Sequence, residues 1–162
     1  MSEKTNGNSE GLSPIVKVIS GMIFPFIMIF SFYVIMHGHL TPGGGFQGGA
    51  IGASAIVMLI VAFGARHTEK RAGEEKLSLF ESIGGTLFVL VAILGFIMAA
   101  TFMSNFLVGS AIFGEIPPFG SNPGILNTGG ILPILNFAVG MKVIGGLSAV
   151  VLAMALVSKE DD

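Results

Sequence analysis

The sequence predicts an all-α integral membrane protein of four transmembrane helices, with both the N- and C-termini cytoplasmic. Three observations predict it. The 162 residues are 52% hydrophobic and 11% charged, with a mean hydropathy of +0.84, too apolar for an ordinary soluble domain. Four stretches are long enough to cross a bilayer, and Lys and Arg concentrate in alternate connections. Crossing roughly 30 Å of hydrocarbon takes about 20 largely apolar residues, and they must be helical so that the backbone satisfies its own hydrogen bonds.

The elements follow in order. Residues 1–13 are polar and carry both charge signs, and the apolar stretch after them is too long for the h-region of a signal peptide; they are expected to be a cytoplasmic tail. The first span is predicted at 15–36. It must end before Pro42, which fixes its own φ and biases Thr41 away from the α region. The second span is predicted at 46–65, the third at 79–106 and the fourth at 131–157. Together they form a four-helix membrane domain over 14–158, followed by an acidic tail at 159–162. Arg66, Lys70, Arg71 and Lys76 lie between the second and third spans, whereas the other two connections hold no Lys or Arg. The positive-inside rule puts the basic connection in the cytoplasm, and Lys4, Lys17 and Lys159 then fall on the same side. The longer connection contains Pro117, Pro118 and Pro123 with several glycines. These resist regular helix, so an ordered cap or re-entrant segment is expected there, with a free disordered loop as the alternative.

Composition also excludes function classes. A net charge of -2 gives no broad basic surface for nucleic acid. With no cysteine there is no thiol nucleophile, disulfide framework or Cys-ligated metal. No cofactor and no metal site are expected. Gly43-x-Gly45-x-x-Gly48 has the letters of a dinucleotide fingerprint, but no strand precedes it.

The most distinctive segment is HGHLTPGGGFQGGAIGASA, residues 37–55. Thr41, Pro42, Gly43, Gly44, Gly45, Phe46, Gln47, Gly48, Gly49 and Gly52 form its centre. The pairs Gly44/Gly48, Gly45/Gly49 and Gly48/Gly52, four apart, make a helix face nearly free of side chains. In lipid, helices associate by close van der Waals packing, and such a face must be buried against another helix. Pro42 is expected to set the turn and Phe46 to fill the space among the glycines.

TPGGGFQGGA, residues 41–50, closely resembles the signature of the B subunit of Mrp-type multisubunit Na+/H+ antiporters (the MnhB/MrpB family). The equivalent subunit of archaeal membrane-bound hydrogenases and sulfane-sulfur reductases shares it. The segment from Asn127-Thr-Gly-Gly-Ile to Asn136-Phe-Ala-Val-Gly-Met-Lys-Val resembles the family's second marker, so the resemblance covers roughly residues 14–157. It implies a structural subunit of four helices in a membrane arm, without catalytic chemistry of its own. The implied partners are the other subunits of the complex, the lipid bilayer and the Na+ and H+ that the complex transports.

Four ionisable residues are candidates for an ion pathway. Lys142 lies near the middle of its span, where an uncompensated lysine costs about 2.5–3.5 kcal/mol; a carboxylate, carbonyl cluster or water chain should meet it. It reads equally as a pKa-shifted relay residue and as an assembly pair with another subunit. Glu81, a few residues inside the third span, is expected to pair with Lys17; the alternative is a cytoplasmic entrance to the relay. His37 and His39 titrate near physiological pH, but at i and i+2 they do not share a helix face, and hydrogen bonds to loop carbonyls are the commoner role. Asn105, Asn127, Asn136 and Gln47 suit a broken helix or a cation equally.

Three functions are compatible with these features. The first is an accessory subunit of an Mrp-type cation/proton antiporter module, serving assembly with a share in the ion pathway left open. The second is the same subunit in the pumping arm of an energy-converting hydrogenase or related oxidoreductase. The third is a stand-alone oligomeric channel or transporter, for which the buried ionisable groups are sparse.

Overall fold

The computed structural model describes residues 12–117, 122 and 124–158. The expected tails, Lys4, Lys159, Pro118 and Pro123 lie outside the described residues, apart from residues 12 and 13. The helices are α1 (Pro14–Met36), α2 (Gly45–Phe63), α3 (Ala65–Arg71), α4 (Glu74–Ala99) and α5 (Leu132–Val157). All but α3 are long and apolar enough to cross a membrane. Among the described residues there is one isolated bridge, between Glu115 and Thr128, and no named strand.

The helices line up as α1 against α2, α2 against α5, and α5 against α4. Large apolar side chains face outward: Phe26 is 72% exposed, Ile15 71% and Ile97 70%. The buried residues are mostly small, among them Gly48, Gly49, Ala53, Ala55, Ala138 and Ser148. This inverts the pattern of a soluble protein and suits a chain surrounded by hydrocarbon, where close backbone approach holds helices together. Ile60, Ala65, Leu77 and Leu152 close the bundle at the end that carries α3.

Helix boundaries have local causes. Pro14 and Pro133 stand at helix starts, where the missing N–H is harmless and φ is already helical. The first helix ends at Met36, ahead of Pro42 as expected. The predicted second span runs too far: Gly64, at φ +92, ends α2 at Phe63 and turns the chain into α3. The predicted third span is displaced at both ends. Its helix begins at Glu74, because Glu74 and Glu75 in the first turn favour the positive end of the helix dipole. It stops at Ala99, because Ala100 turns left-handed (φ 57) and the chain folds back until Ser104 lies against Gly95. Apolarity through Phe106 concealed this stop.

The long connection is ordered by its asparagines. Asn105 Nδ2 donates to Gly129 O at 3.2 Å, and Ile131 N–H donates to Asn105 Oδ1 at 2.9 Å. Phe113 N–H donates to Asn127 Oδ1 at 2.6 Å. Asn122 Oδ1 accepts from Gly124 and Ile125 N–H groups. These bonds satisfy a backbone that has no helix to satisfy it, and they order the described part of this segment.

Candidate functional site

The glycine segment forms the turn and first half of α2, and it is wedged between α1 and α5 of the same chain. Gly43 and Gly44 adopt φ +150 and +109, which side-chain-bearing residues rarely adopt. A Cβ on Gly48 would lie 2.5 Å from Ile35 Cγ1, so Gly48 faces α1, and one on Gly52 would lie 2.8 Å from Ser31 Oγ and 2.9 Å from Ile144 Cδ1, so Gly52 faces α1 and α5 together. A Cβ on Gly49 would lie 2.7 Å from Val143 Cβ, and one on Gly45 would collide with Asn136 O, so these two face α5. Ser31 Oγ donates to Gly48 O at 2.7 Å, a buried bond across the α1–α2 contact.

The two sequence markers meet here. Gly45 N–H donates to Asn136 Oδ1 at 3.4 Å. The Gly44 cap of α2 has no side chain to offer, and an amide from α5 supplies the missing acceptor. Phe46 corrects the expectation placed on it. It is 59% exposed and points away from the glycines, whose space is filled by Ile35, Val139, Val143 and Ile144. Gln47, Thr41 and Pro42 are also exposed. Thr41 Oγ1 donates to His37 O at 3.3 Å, closing the turn after α1.

The second part of the site lies across α4 and α5. A Cβ on Gly84 would lie 2.6 Å from Ala138 O, and one on Gly145 2.6 Å from Leu77 O. Glycines on both helices therefore bring the two backbones together, and the side chains flanking this contact meet. Lys142 Nζ donates to Glu81 Oε1 at 3.1 Å. The expected pairing of Glu81 with Lys17 is thus corrected: α1, which carries Lys17, packs on α2, and α5 is the neighbour of α4. Glu81 is also deeper than its predicted helix start implied. It lies about 10 Å along the axis from Glu74 and opposite Gly145 and Gly146, at mid-length of α5. The pair is not enclosed by this chain, since the Lys142 and Glu81 side chains are 55% and 37% exposed.

A family model described as the domain related to the MnhB subunit of Na+/H+ antiporter matches residues 15–149. The chain belongs to the MnhB family. An uncharacterised protein of Methanocaldococcus jannaschii is 33% identical over 138 residues, 84% of this chain and 50% of that protein. The B subunit of the Na+/H+ antiporter of Bacillus subtilis is 32% identical over 91 residues, 56% of this chain and 63% of that one. A chain of the membrane-bound sulfane sulfur reductase, an archaeal respiratory membrane complex, matches with a TM-score of 0.72 and 31% identity; the match covers 95% of this chain and 60% of that one. The MnhB-family chain thus spans between half and two thirds of the length of these relatives. With its four apolar helices it is a multi-pass membrane protein.

His37 and His39 of this MnhB-family chain lie at the end of the bundle opposite α3 and have separate surroundings. His37 Nδ1 lies 3.2 Å from Tyr33 O, and its ring is 4.1 Å from the Tyr33 ring. The His39 ring lies against Gly129, joining the glycine turn to the second marker. Both His39 nitrogens are shut off from solvent without a well-formed hydrogen bond. Desolvation holds its pKa below the usual 6.5; backbone groups of Leu126 and Met36 push weakly the other way, and the charge of His37 adds to the lowering. No group of three or more His, Cys, Asp or Glu suited to a metal ion occurs among the described residues.

Sequence reasoning missed Ser31, Gly84 and Gly145. Gly84-Gly85 and Gly145-Gly146 stand in the middle of apolar spans, and that spacing was the available signal for the α4–α5 contact. Ser31 had none: a serine in an apolar helix does not announce which carbonyl it will reach.

Proposed function

We propose that this chain is a membrane-embedded accessory subunit of a multisubunit Na+(cation)/H+ antiporter module in the plasma membrane. Residues 1–13 and 159–162 are cytoplasmic tails on the membrane domain 14–158, and α3 lies on the same side, as the basic connection favours. The chain carries no catalytic chemistry. The single observation that supports a component role is the half-exposed Glu81–Lys142 pair, opposite the middle of α5. Charge facing hydrocarbon is costly, so a neighbouring subunit or a wet ion route covers this face. Lys142 and Glu81 are the ion-pathway residues of this reading, whereas His37 and His39 serve the turn.

A second reading has its own support in the likeness to the sulfane sulfur reductase chain: the same subunit in the ion-pumping arm of an energy-converting oxidoreductase. Purification of the tagged chain in mild detergent, followed by mass spectrometry, tests both. Large antiporter-type subunits alone favour the first, added redox subunits the second, and recovery of the chain without companions overturns the component role.

A further inference from the structure

On the side of α2 remote from the Glu81–Lys142 pair, α1, α2 and α3 enclose a lateral groove of about 410 Å³. Its walls are Phe24, Ile56, Leu59 and Phe63, and Gly21 leaves its floor open, since a Cβ there would meet nothing within 4 Å. One end has a different chemistry. His67 and Arg71, one turn apart on α3, line that end, and Lys76, itself outside the lining, donates from Nζ to Arg71 O at 3.2 Å. Glu69, Glu74 and Glu75 are not among the lining residues. The basic end is fixed rather than floating: Thr68 Oγ1 donates to Gly64 O at 3.1 Å, and Phe63 stacks on His67 with ring centroids 5.5 Å apart.

We infer that this groove seats one anionic phospholipid, an acyl chain lying against Phe24, Leu59 and Phe63 and the phosphate at Arg71 and His67. An apolar slot that opens sideways into hydrocarbon and ends in an arginine and a histidine at the membrane boundary has the polarity sequence of such a lipid.

The chain has no tryptophan, so Phe24→Trp gives a single fluorescent reporter inside the groove. The full-length chain is placed in nanodiscs containing either brominated phosphatidylglycerol or brominated phosphatidylcholine, and quenching reports relative occupancy. The expected result is a preference for phosphatidylglycerol of about fivefold or more, the factor that one cation near an anionic surface supplies. In the same background Arg71→Gln with His67→Gln brings the preference close to one while the unquenched emission spectrum stays unchanged. Leu79→Trp, on the exposed face of α4, reports a preference near one throughout. Equal quenching by the two lipids at Phe24→Trp overturns the inference, as does a preference that survives the double substitution or a reporter that neither lipid quenches. None of these outcomes depends on which subunits co-purify with the chain.

Discussion

Glu81 and Lys142 are 61 residues apart in the chain, yet their side chains meet at 3.1 Å because Gly84 and Gly145 let α4 and α5 approach backbone to backbone. The pair is therefore a consequence of glycine packing, and it is half open to whatever surrounds the chain. Its partners can be removed separately or together, which makes its role testable.

Glu81→Gln or Lys142→Met alone leaves an ionised or strongly polar group without its partner inside the bilayer, at a cost of about 2.5–3.5 kcal/mol for a lysine at that depth. Recovery of the chain in its complex should fall for each single variant and rise again for the double variant Glu81→Gln/Lys142→Met. Quantitative blotting of purified complexes measures this. Ion exchange in the same preparations then separates the roles: normal exchange by a recovered double variant assigns the pair to assembly, and lost exchange assigns it to the ion route.

Gly49→Ala should destabilise the chain by about 1–3 kcal/mol, the usual effect of overpacking, because the new methyl would lie 2.7 Å from Val143 Cβ. Gly21→Ala, where a Cβ meets nothing within 4 Å, should be neutral or stabilising by up to about 1 kcal/mol through helix propensity. Thermal unfolding in detergent distinguishes the two; equal losses would show that the glycine face is not the tight contact.

Asn136→Ala removes the acceptor that Gly45 N–H finds on α5. Losing a helix cap costs about 0.5–2 kcal/mol, and the loss should be local. Hydrogen exchange at residues 45–48 should quicken while the second half of α2 keeps its protection.

His39 gives a pH dependence whose sign follows from its surroundings. Its folded-state pKa is below 6.5, so below that value the unfolded chain binds more protons than the folded one. Its contribution is fully present above pH 6.5 and is lost as the pH falls from there towards the folded-state pKa. Melting temperature measured from pH 7.5 to 5.5 should decline, and His39→Phe should flatten that decline; an unchanged slope would remove His39 as its source.

The third span shows where sequence reading stops. Its apolar residues continue to Phe106, interrupted by Thr101, Ser104 and Asn105, but these do not fix the end at Ala99; the chain there turns so that Ser104 returns against Gly95, a contact made only in the folded chain. Phe46 shows the same limit in another form. A bulky residue among glycines reads as their filling, but at its position on α2 it points outward, and residues from α1 and α5 fill that space.

By itself, the sequence determined that this chain has four helices long and apolar enough to cross a membrane and that the second of them has a face without side chains. Hydropathy over about 20 residues and a four-residue glycine spacing are local quantities, set by bilayer thickness and helix pitch. Tertiary structure alone decided which helices share those faces, and with them the partner of Glu81, the capping of Gly45 by Asn136 and the placing of Arg71 at the end of a groove. Each joins residues on different helices, and the pairing of helices depends on the fit of complete surfaces, which no single stretch of sequence contains.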